Sequence, residues 1–124
     1  MNLDSLKQRP ELGLFLGLFV GDGGLSFKHN GEGYRIYPIS FYNTNIDLVE
    51  LFHSLFFNLF NIKGNIRSRD RKNKLKLWEF EKYSKDIYAI LNQEFEIPYG
   101  KKALNVKIPS FILSSSDEIK KNFF

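Results

Sequence analysis

The segment that decides the fold runs from Leu12 to Gly23 and has the sequence LGLFLGLFVGDG. Gly13, Gly17 and Gly21 recur at every fourth position, so they line one stripe if the segment is helical. A glycine in the interior of a helix costs about 1 kcal/mol relative to alanine. Three glycines at this spacing are explained if the stripe packs directly against the backbone of another helix, where side chains would not fit.

A carboxylate follows the glycine stripe. Asp22 lies in the cluster Gly21-Asp22-Gly23-Gly24, which supplies the conformational freedom that the end of a helix requires. If the stripe packs against a partner helix, Asp22 is held close to the corresponding residue of that partner. The simpler interpretation is a buried amphipathic helix that ends in an Asp-Gly turn. The residues alone leave both interpretations open.

Predicted helices and hairpins alternate along the rest of the chain. The first helix covers residues 3–20, or begins near Pro10 after a short lead-in. The later elements are predicted, in order, as strands at 25–30 and 34–42, a helix at 46–60, strands at 63–70 and 74–83, a helix at 84–92, an extended stretch at 106–109 and a helix that starts at Ser116. This order predicts a single α+β domain over residues 1–124. Its αββαββα arrangement places helices on one face of a four-stranded antiparallel sheet.

The composition excludes several classes of protein and site. The 124 residues are 43% hydrophobic, which is enough to bury a core, and they include no cysteine. Disulfide scaffolds, zinc sites with cysteine ligands and thiol nucleophiles are therefore excluded. The longest apolar run has about half of the ~20 residues that a membrane-spanning helix needs, and the N-terminus lacks a signal-peptide pattern. We therefore expect a cytoplasmic protein without a membrane partner.

Basic residues are concentrated in one part of the chain. The net charge is +4, and seven of the fourteen residues from Lys63 to Lys76 are lysine or arginine. Alternate residues of a strand share a face, so Arg67 and Arg69 are expected opposite Ile66. A polar sheet face of this kind fits a groove of DNA, and its candidate DNA-binding residues are Ser26, Lys28, Asn30, Arg35, Ser40, Tyr42, Arg67, Arg69, Lys74 and Lys76. A solvated surface is the alternative interpretation.

The fourth predicted strand contains two apolar registers. Leu75 and Leu77 lie in one register, and Trp78 and Phe80 lie in the other. A strand with a single apolar face cannot contain both pairs, because alternate residues point to opposite faces. The sequence therefore predicts either a β-bulge or a strand that has apolar residues on both faces.

One segment resembles a known motif. The stretch from Phe15 to Gly23, FLGLFVGDG, is similar to the LAGLIDADG motif that names a family of homing endonucleases, with matches at Gly17, Leu18, Asp22 and Gly23. Val20 departs from the motif at the position of its first acid, a position that varies in the family. Further similarities follow in the same order along the chain, in Tyr42-Asn43-Thr44-Asn45, in Gly100-Lys101-Lys102 and in the IPSFI segment at 108–112.

The resemblance implies a fold, an activity and a set of site residues. The fold is the LAGLIDADG-type half-saddle, and the activity is site-specific hydrolysis of DNA with Mg²⁺, a cation that prefers oxygen ligands. Asp22 would bind the metal together with the backbone carbonyl of Gly21. Lys102 is the candidate catalytic lysine, and Lys101 is the second choice for that role. Asn45 is a candidate polar residue beside the reacting water. A solvated loop for Lys102 and helix capping for Asn45 are the structural alternatives.

The sequence holds a single copy of the motif, whereas the chemistry of the family needs two acids. The resemblance therefore implies a homodimer, with a helix interface formed by Gly13, Leu14, Gly17, Leu18 and Gly21. Two alternatives remain. The chain can be a non-cleaving domain that binds DNA or intron RNA, like a maturase or a degenerate relative. It can also be half of a split or truncated two-repeat endonuclease, in which case its partner is a second LAGLIDADG half.

Overall fold

A computed structural model describes residues 2–26, 28–29, 35–98 and 117–123. Its helices are α1 (Leu3–Lys7), α2 (Glu11–Asp22), α3 (Ile46–Phe60), α4 (Lys85–Ala89), which continues into a π-helical turn (Ile90–Glu94), and α5 (Asp117–Phe123). Its strands are β1 (Gly23–Leu25), β2 (Lys28–His29), β3 (Arg35–Ile36), β4 (Pro38–Asn43), β5 (Asn65–Arg69) and β6 (Leu77–Tyr83). None of the helices in the described part of the chain has the length and apolar character that crossing a membrane requires.

Four strands form one antiparallel sheet in the order β1-β4-β6-β5, and β2 pairs with β3 separately. The predicted α+β fold with a four-stranded antiparallel sheet is therefore confirmed. The first predicted hairpin differs in detail, since each of its long strands is divided into two short ones. On the second strand the division falls at Tyr37, directly before Pro38, which has no backbone N–H to continue the ladder.

Phenylalanine side chains fix the two long helices on one face of the sheet. Phe41 of β4 and Phe80 of β6 are directly opposite each other and fully buried. The ring of Phe52 on α3 stacks on Phe41 at 4.4 Å and meets Phe80 edge-on at 5.0 Å. Phe15 on α2 stacks on Phe52 at 4.9 Å. Aromatic pairs of this kind add about 0.5–1.5 kcal/mol each beyond the area they bury, so α2 is held firmly over the sheet.

Local capping sets where the helices begin. Pro10 occupies the N-terminal flank of α2 with φ −60°, so the second predicted arrangement, a short lead-in followed by the helix, is the observed one. The side chain of Asn45 accepts a hydrogen bond from the N–H of Asp47 at 2.9 Å and caps α3, whose bounds match the predicted helix. The predicted helix at 84–92 begins as expected after Ser84, but it changes from α to π geometry at Ile90.

Candidate functional site

The C-terminal end of α2 carries an exposed carboxylate. Asp22 is the last residue of the helix, and Gly23 begins β1 without any intervening loop. The C-terminus of a helix carries roughly half a negative charge, so an acid there is unfavourable and a basic residue is preferred. The last turn of α2 contains no basic residue. A bound cation at this point would offset both the carboxylate and the helix dipole.

A hydrogen bond orients this carboxylate. Asn43, the last residue of β4, donates from Nδ2 to Oδ2 of Asp22 at 2.9 Å. The Oδ1 atom of Asn43 accepts from the N–H of Asn45 at 2.8 Å, and this second bond fixes the orientation of the amide. The side chain of Asn45 is engaged in capping α3. Asn43 is therefore the asparagine that touches the acid, while the candidate Asn45 has the capping role that was its structural alternative.

Sequence reasoning missed Asn43 as a site residue, although a signal for it existed. Gly23 pairs with Phe41, and β1 follows directly on Asp22. Continuing the antiparallel register brings the end of β4 beside the end of α2. The pairing of β1 with β4 was predicted only as a hairpin without a register, so the neighbour of Asp22 was not identified.

The donor atoms at this helix end suit a hard divalent cation. Asp22 offers carboxylate oxygens and Gly21 a backbone carbonyl, and both residues are exposed. An ideal Cβ placed on Gly21 would meet no other atom within 4 Å, so the surface beside the carboxylate is open. Among the described residues, no group of three or more His, Cys, Asp or Glu side chains could hold a metal. A cation here would therefore take its other ligands from water, phosphate or a further carboxylate, as Mg²⁺ commonly does.

Two of the three stripe glycines are covered by the chain itself. An ideal Cβ on Gly13 would overlap the carbonyl of Ile119 on α5, and one on Gly17 would lie 2.6 Å from the carbonyl oxygen of Phe123. The contacts advance by four residues on both helices, so α5 runs parallel to α2. The predicted packing of the stripe against a helix backbone is thus observed. In this chain α5 occupies the surface of Gly13 and Gly17 that was predicted to contact a second copy, and contact with a second copy remains a prediction.

The remaining members of the predicted interface behave differently. Leu14 and Leu18 are half-buried and pack against the core of the same chain. Gly21, one turn beyond the last contact with α5, has open space around its Cα. A role for these three residues in an interface remains a prediction.

The polar face of the sheet has the predicted orientation in its central strands. Tyr42, Glu79 and Arg67 are opposite one another across β4, β6 and β5, on the face away from the helices. Ser40 lies on the same face, whereas Ile66 is opposite the buried Phe80. Tyr42 is 38% exposed and Ser40 is 5% exposed. Arg67 and Arg69 therefore share the outer face, as their spacing predicted.

Two acids on the same face were not predicted. The Arg67 Nη2 atom lies 2.7 Å from Oε1 of Glu79 and 3.4 Å from Oε1 of Glu81. Arg69 Nη2 lies 3.3 Å from Oε2 of Glu79. The hydrogen bond to Glu79 raises the pKa of the Arg67 guanidinium. The edge strand β5 therefore presents arginines whose charge is balanced by acids of the neighbouring strand β6. The alternation of Glu79 and Glu81 with the buried Phe80 was the available signal.

Lys74 and Lys76 do not lie in a strand, contrary to the prediction. Strand β6 begins only at Leu77, and the preceding turn is braced by Arg71, whose guanidinium donates two hydrogen bonds to the carbonyl of Leu75. Lys76 lies 3.8 Å from Asp70 and over the ring of Trp78 at 5.7 Å. The two lysines therefore form part of a basic turn at the edge of the sheet.

The fourth predicted strand corresponds to β6, which contains no β-bulge in its pairing with β4 or β5. Leu75 precedes the strand and is 73% exposed. Leu77 pairs with Arg69 on the outer face, while Trp78 and Phe80 face the helices. Strand β6 therefore has apolar residues on both faces, because its first residue, Leu77, lies on the outer face. This was one of the two predicted possibilities.

Known structures share this arrangement. Mesophilic variants of the homing endonuclease I-DmoI match the chain with a TM-score of 0.62 and 19% identity, over 92% of this chain and 56% of theirs. I-DmoI in complex with DNA and Mn matches with a TM-score of 0.60 and 17% identity, over 98% and 59%. The chain has the fold of a LAGLIDADG homing endonuclease.

The LAGLIDADG match concerns the fold of about half of a longer protein. The chain spans 56% to 59% of the I-DmoI chains it matches, and I-DmoI in complex with DNA and Ca gives a TM-score of 0.53 at 16% identity. No protein-family model and no curated protein matches the sequence. In two of these LAGLIDADG structures the matched protein is bound to DNA together with a divalent metal.

Several site predictions fall at the limits of the described part of the LAGLIDADG fold. Ser26 lies just after β1, is exposed and donates its backbone N–H to the carbonyl of Pro38. The backbones of Lys28 and Arg35 lie in the β2–β3 pair, and their side chains lie outside the described residues. Asn30 and Lys102, together with the second choice Lys101, also lie outside the described residues.

Proposed function

We propose that this chain is one half of a site-specific DNA endonuclease of the LAGLIDADG type, in which Asp22 is one of two metal-binding acids. The observation that carries the proposal is an exposed carboxylate at the end of a helix without a basic residue in its last turn. Asn43 fixes the orientation of that carboxylate. An arrangement that is unfavourable for the isolated helix is explained by a cation that binds during function.

Each residue of the site has a separate role in this proposal. Asp22 and the Gly21 carbonyl would hold a divalent cation, which we take to be Mg²⁺. When bound, such an ion activates a water molecule and stabilises the leaving oxygen of the phosphodiester. Asn43 holds one oxygen of the Asp22 carboxylate through its hydrogen bond and so restricts the orientation of the acid. Lys102 is the proposed source of positive charge near the reacting phosphate.

The second acid comes from a helix that lies beside α2. A homodimer through the whole glycine stripe would require α5 to leave Gly13 and Gly17. A second LAGLIDADG half whose helix includes α5 requires no such displacement, since α5 already packs parallel to α2 along the stripe. We therefore propose a two-half arrangement in which the second half belongs to the same chain, in preference to the homodimer and to a split pair.

Double-stranded DNA is the proposed partner of the outer sheet face. Tyr42, Arg67 and Arg69 are exposed there, and the basic turn before β6 is at its edge. A non-cleaving protein that binds DNA or intron RNA would use the same face. The two functions differ only in whether Asp22 holds a metal that takes part in hydrolysis.

Binding of Mn²⁺, followed by electron paramagnetic resonance, tests the proposal on the full chain with random-sequence duplex DNA present. We expect binding by the wild type, loss of binding in Asp22→Asn, and wild-type behaviour in Asp47→Asn, which removes an exposed acid on α3. Equal Mn²⁺ binding by wild type and Asp22→Asn would overturn the metal site and favour the non-cleaving alternative. Light scattering tests the arrangement. A species of 14.6 kDa agrees with the two-half proposal, whereas a dimer would favour the homodimer over it.

A further inference from the structure

The outer face of the sheet contains a carboxylate that is almost completely covered. Glu79 is 2% exposed although it lies on the side of the sheet away from the helices. The side chains of Arg67 and Arg69 cover it from the neighbouring strand. An acid at the centre of a surface that approaches DNA phosphates opposes binding, so its position calls for an explanation beyond general charge balance.

Each oxygen of this carboxylate holds a different arginine. Oε1 of Glu79 lies 2.7 Å from Arg67, which is directly opposite on β5, and Oε2 lies 3.3 Å from Arg69, two residues further along. Glu81 gives Arg67 a second contact at 3.4 Å. Two long side chains that would otherwise sample many rotamers are thus joined by one rigid group.

The two arginine side chains remain largely exposed although both contact Glu79. The side chains of Arg67 and Arg69 are 60% and 61% exposed, whereas that of Glu79 is 3% exposed. Both contacts of Arg67 use its Nη2 atom, and the contact of Arg69 also uses Nη2, so the Nε–H and Nη1–H donors of each guanidinium remain available for a hydrogen bond to N7 or O6 of a guanine. Residues two apart on a strand are separated by roughly 6.8 Å, which is about two steps of 3.4 Å in B-DNA.

We propose that Glu79 is a positioning residue that presents Arg67 and Arg69 as a fixed pair to two guanines separated by one base pair. The inference rests on the proposed DNA-binding function of this face. Because Glu79 and Glu81 balance the two arginine charges, the pair contributes sequence recognition and little attraction to phosphate. The basic turn with Lys74 and Lys76 supplies the attraction that does not depend on sequence.

Selection from a library of random-sequence duplexes, with the full chain, tests the inference. We expect the wild type to enrich guanine at two positions separated by one base pair. Glu79→Gln should reduce each preference by about tenfold. The same variant should bind unselected duplex more tightly, with a salt dependence steeper by about one charge, because an arginine is freed for phosphate contact. If Glu79 only stabilised the sheet, its substitution would not weaken the base preference and at the same time steepen the salt dependence of binding.

Two further variants test the inference even if the Glu79→Gln protein does not fold. Glu81→Gln makes the same change of charge and leaves the contacts of Glu79 with both arginines in place, so we expect it to keep the preference at the Arg69 position. Arg69→Lys keeps the charge but loses the planar fork, so one of the two guanine preferences should disappear. Retention of both preferences in Glu79→Gln, or of full preference in Arg69→Lys, overturns the inference. A wild type that binds duplex without these preferences also overturns it, whereas a wild type that binds no duplex overturns the proposed function itself.

Discussion

Asn43 and Asp22 are 21 positions apart in the sequence, and a hydrogen bond of 2.9 Å joins their side chains. The bond connects the end of β4 to the end of α2. Because the amide of Asn43 is itself fixed by the N–H of Asn45, the carboxylate cannot turn freely. The acid is therefore positioned before any cation arrives, which lowers the conformational cost of binding one.

Removal of this orientation should weaken metal binding without unfolding the protein. We expect Asn43→Ala to lower the affinity for Mn²⁺ by about 10- to 100-fold, as is usual when a group that orients a metal ligand is lost. Titration calorimetry measures the effect, and Thr44→Ala, an exposed neighbour, is the matched control. An affinity for Mn²⁺ in Asn43→Ala equal to that of the control would show that the hydrogen bond has no such role.

The glycine stripe allows a comparison of two identical substitutions on one helix. Gly13→Ala places a methyl group against the carbonyl of Ile119, so it should lower the free energy of unfolding by about 1–3 kcal/mol. Gly21→Ala meets no atom within 4 Å and should raise the free energy of unfolding by up to about 1 kcal/mol, because alanine favours the helix. Urea denaturation measures both. Equal effects would mean that α5 does not pack on Gly13 in solution.

The buried carboxylate of Glu79 makes the two arginines structurally important. The double substitution Arg67→Ala and Arg69→Ala leaves this acid without its partners on β5, and we expect a loss of about 1–3 kcal/mol in the free energy of unfolding. Adding Glu79→Gln to that protein should recover part of the loss, since the unpaired charge is removed. Thermal denaturation of the three proteins gives the comparison. The interpretation fails if the third substitution lowers stability further.

Stability at low pH should depend on Glu11. A hydrogen bond from its own backbone N–H, followed by one from Arg9, lowers the pKa of this carboxyl below its ordinary value of 4.5. A group whose pKa is lowered by folding stabilises the protein above its unfolded pKa, and this contribution is lost as the pH falls through the folded pKa. We therefore expect the stability difference between wild type and Glu11→Gln to be present at pH 7 and to disappear in strong acid. Melting temperatures across that range measure it, and a difference that does not change with pH would contradict the assignment.

Local patterns predicted those parts of the molecule that local chemistry determines. The periodicity from Ile46 to Phe60 and the capping preference of Asn45 gave the bounds of α3, because both signals lie within a few residues of the helix. Strand alternation placed Arg67 opposite Ile66 for the same reason. Asp22 and Gly21 were named as candidate metal-binding residues because they lie in a continuous segment that resembles the LAGLIDADG motif, and this role remains a prediction.

Features that depend on contacts between distant segments were not predicted. The spacing of Gly13 and Gly17 shows that a helix backbone approaches closely, but it contains no information about which helix does so. Glu79 was visible in the sequence, but its contact with both arginines depends on the register between β5 and β6. The fourth strand was predicted to begin at residue 74, inside the turn that precedes β6, because Leu75 is apolar and alternates with Leu77 as in a strand.

The packing of α5 on α2 also constrains the order in which the chain folds. Asn122 donates a hydrogen bond to the carbonyl of Pro10, and these residues are 112 positions apart. Closing a loop of that length costs roughly 4 kcal/mol in chain entropy, so the helix pair forms after the sheet and α3 have brought the ends together. During synthesis, α2 therefore emerges from the ribosome with its glycine surface exposed, and it remains so until the residues of α5 have been made.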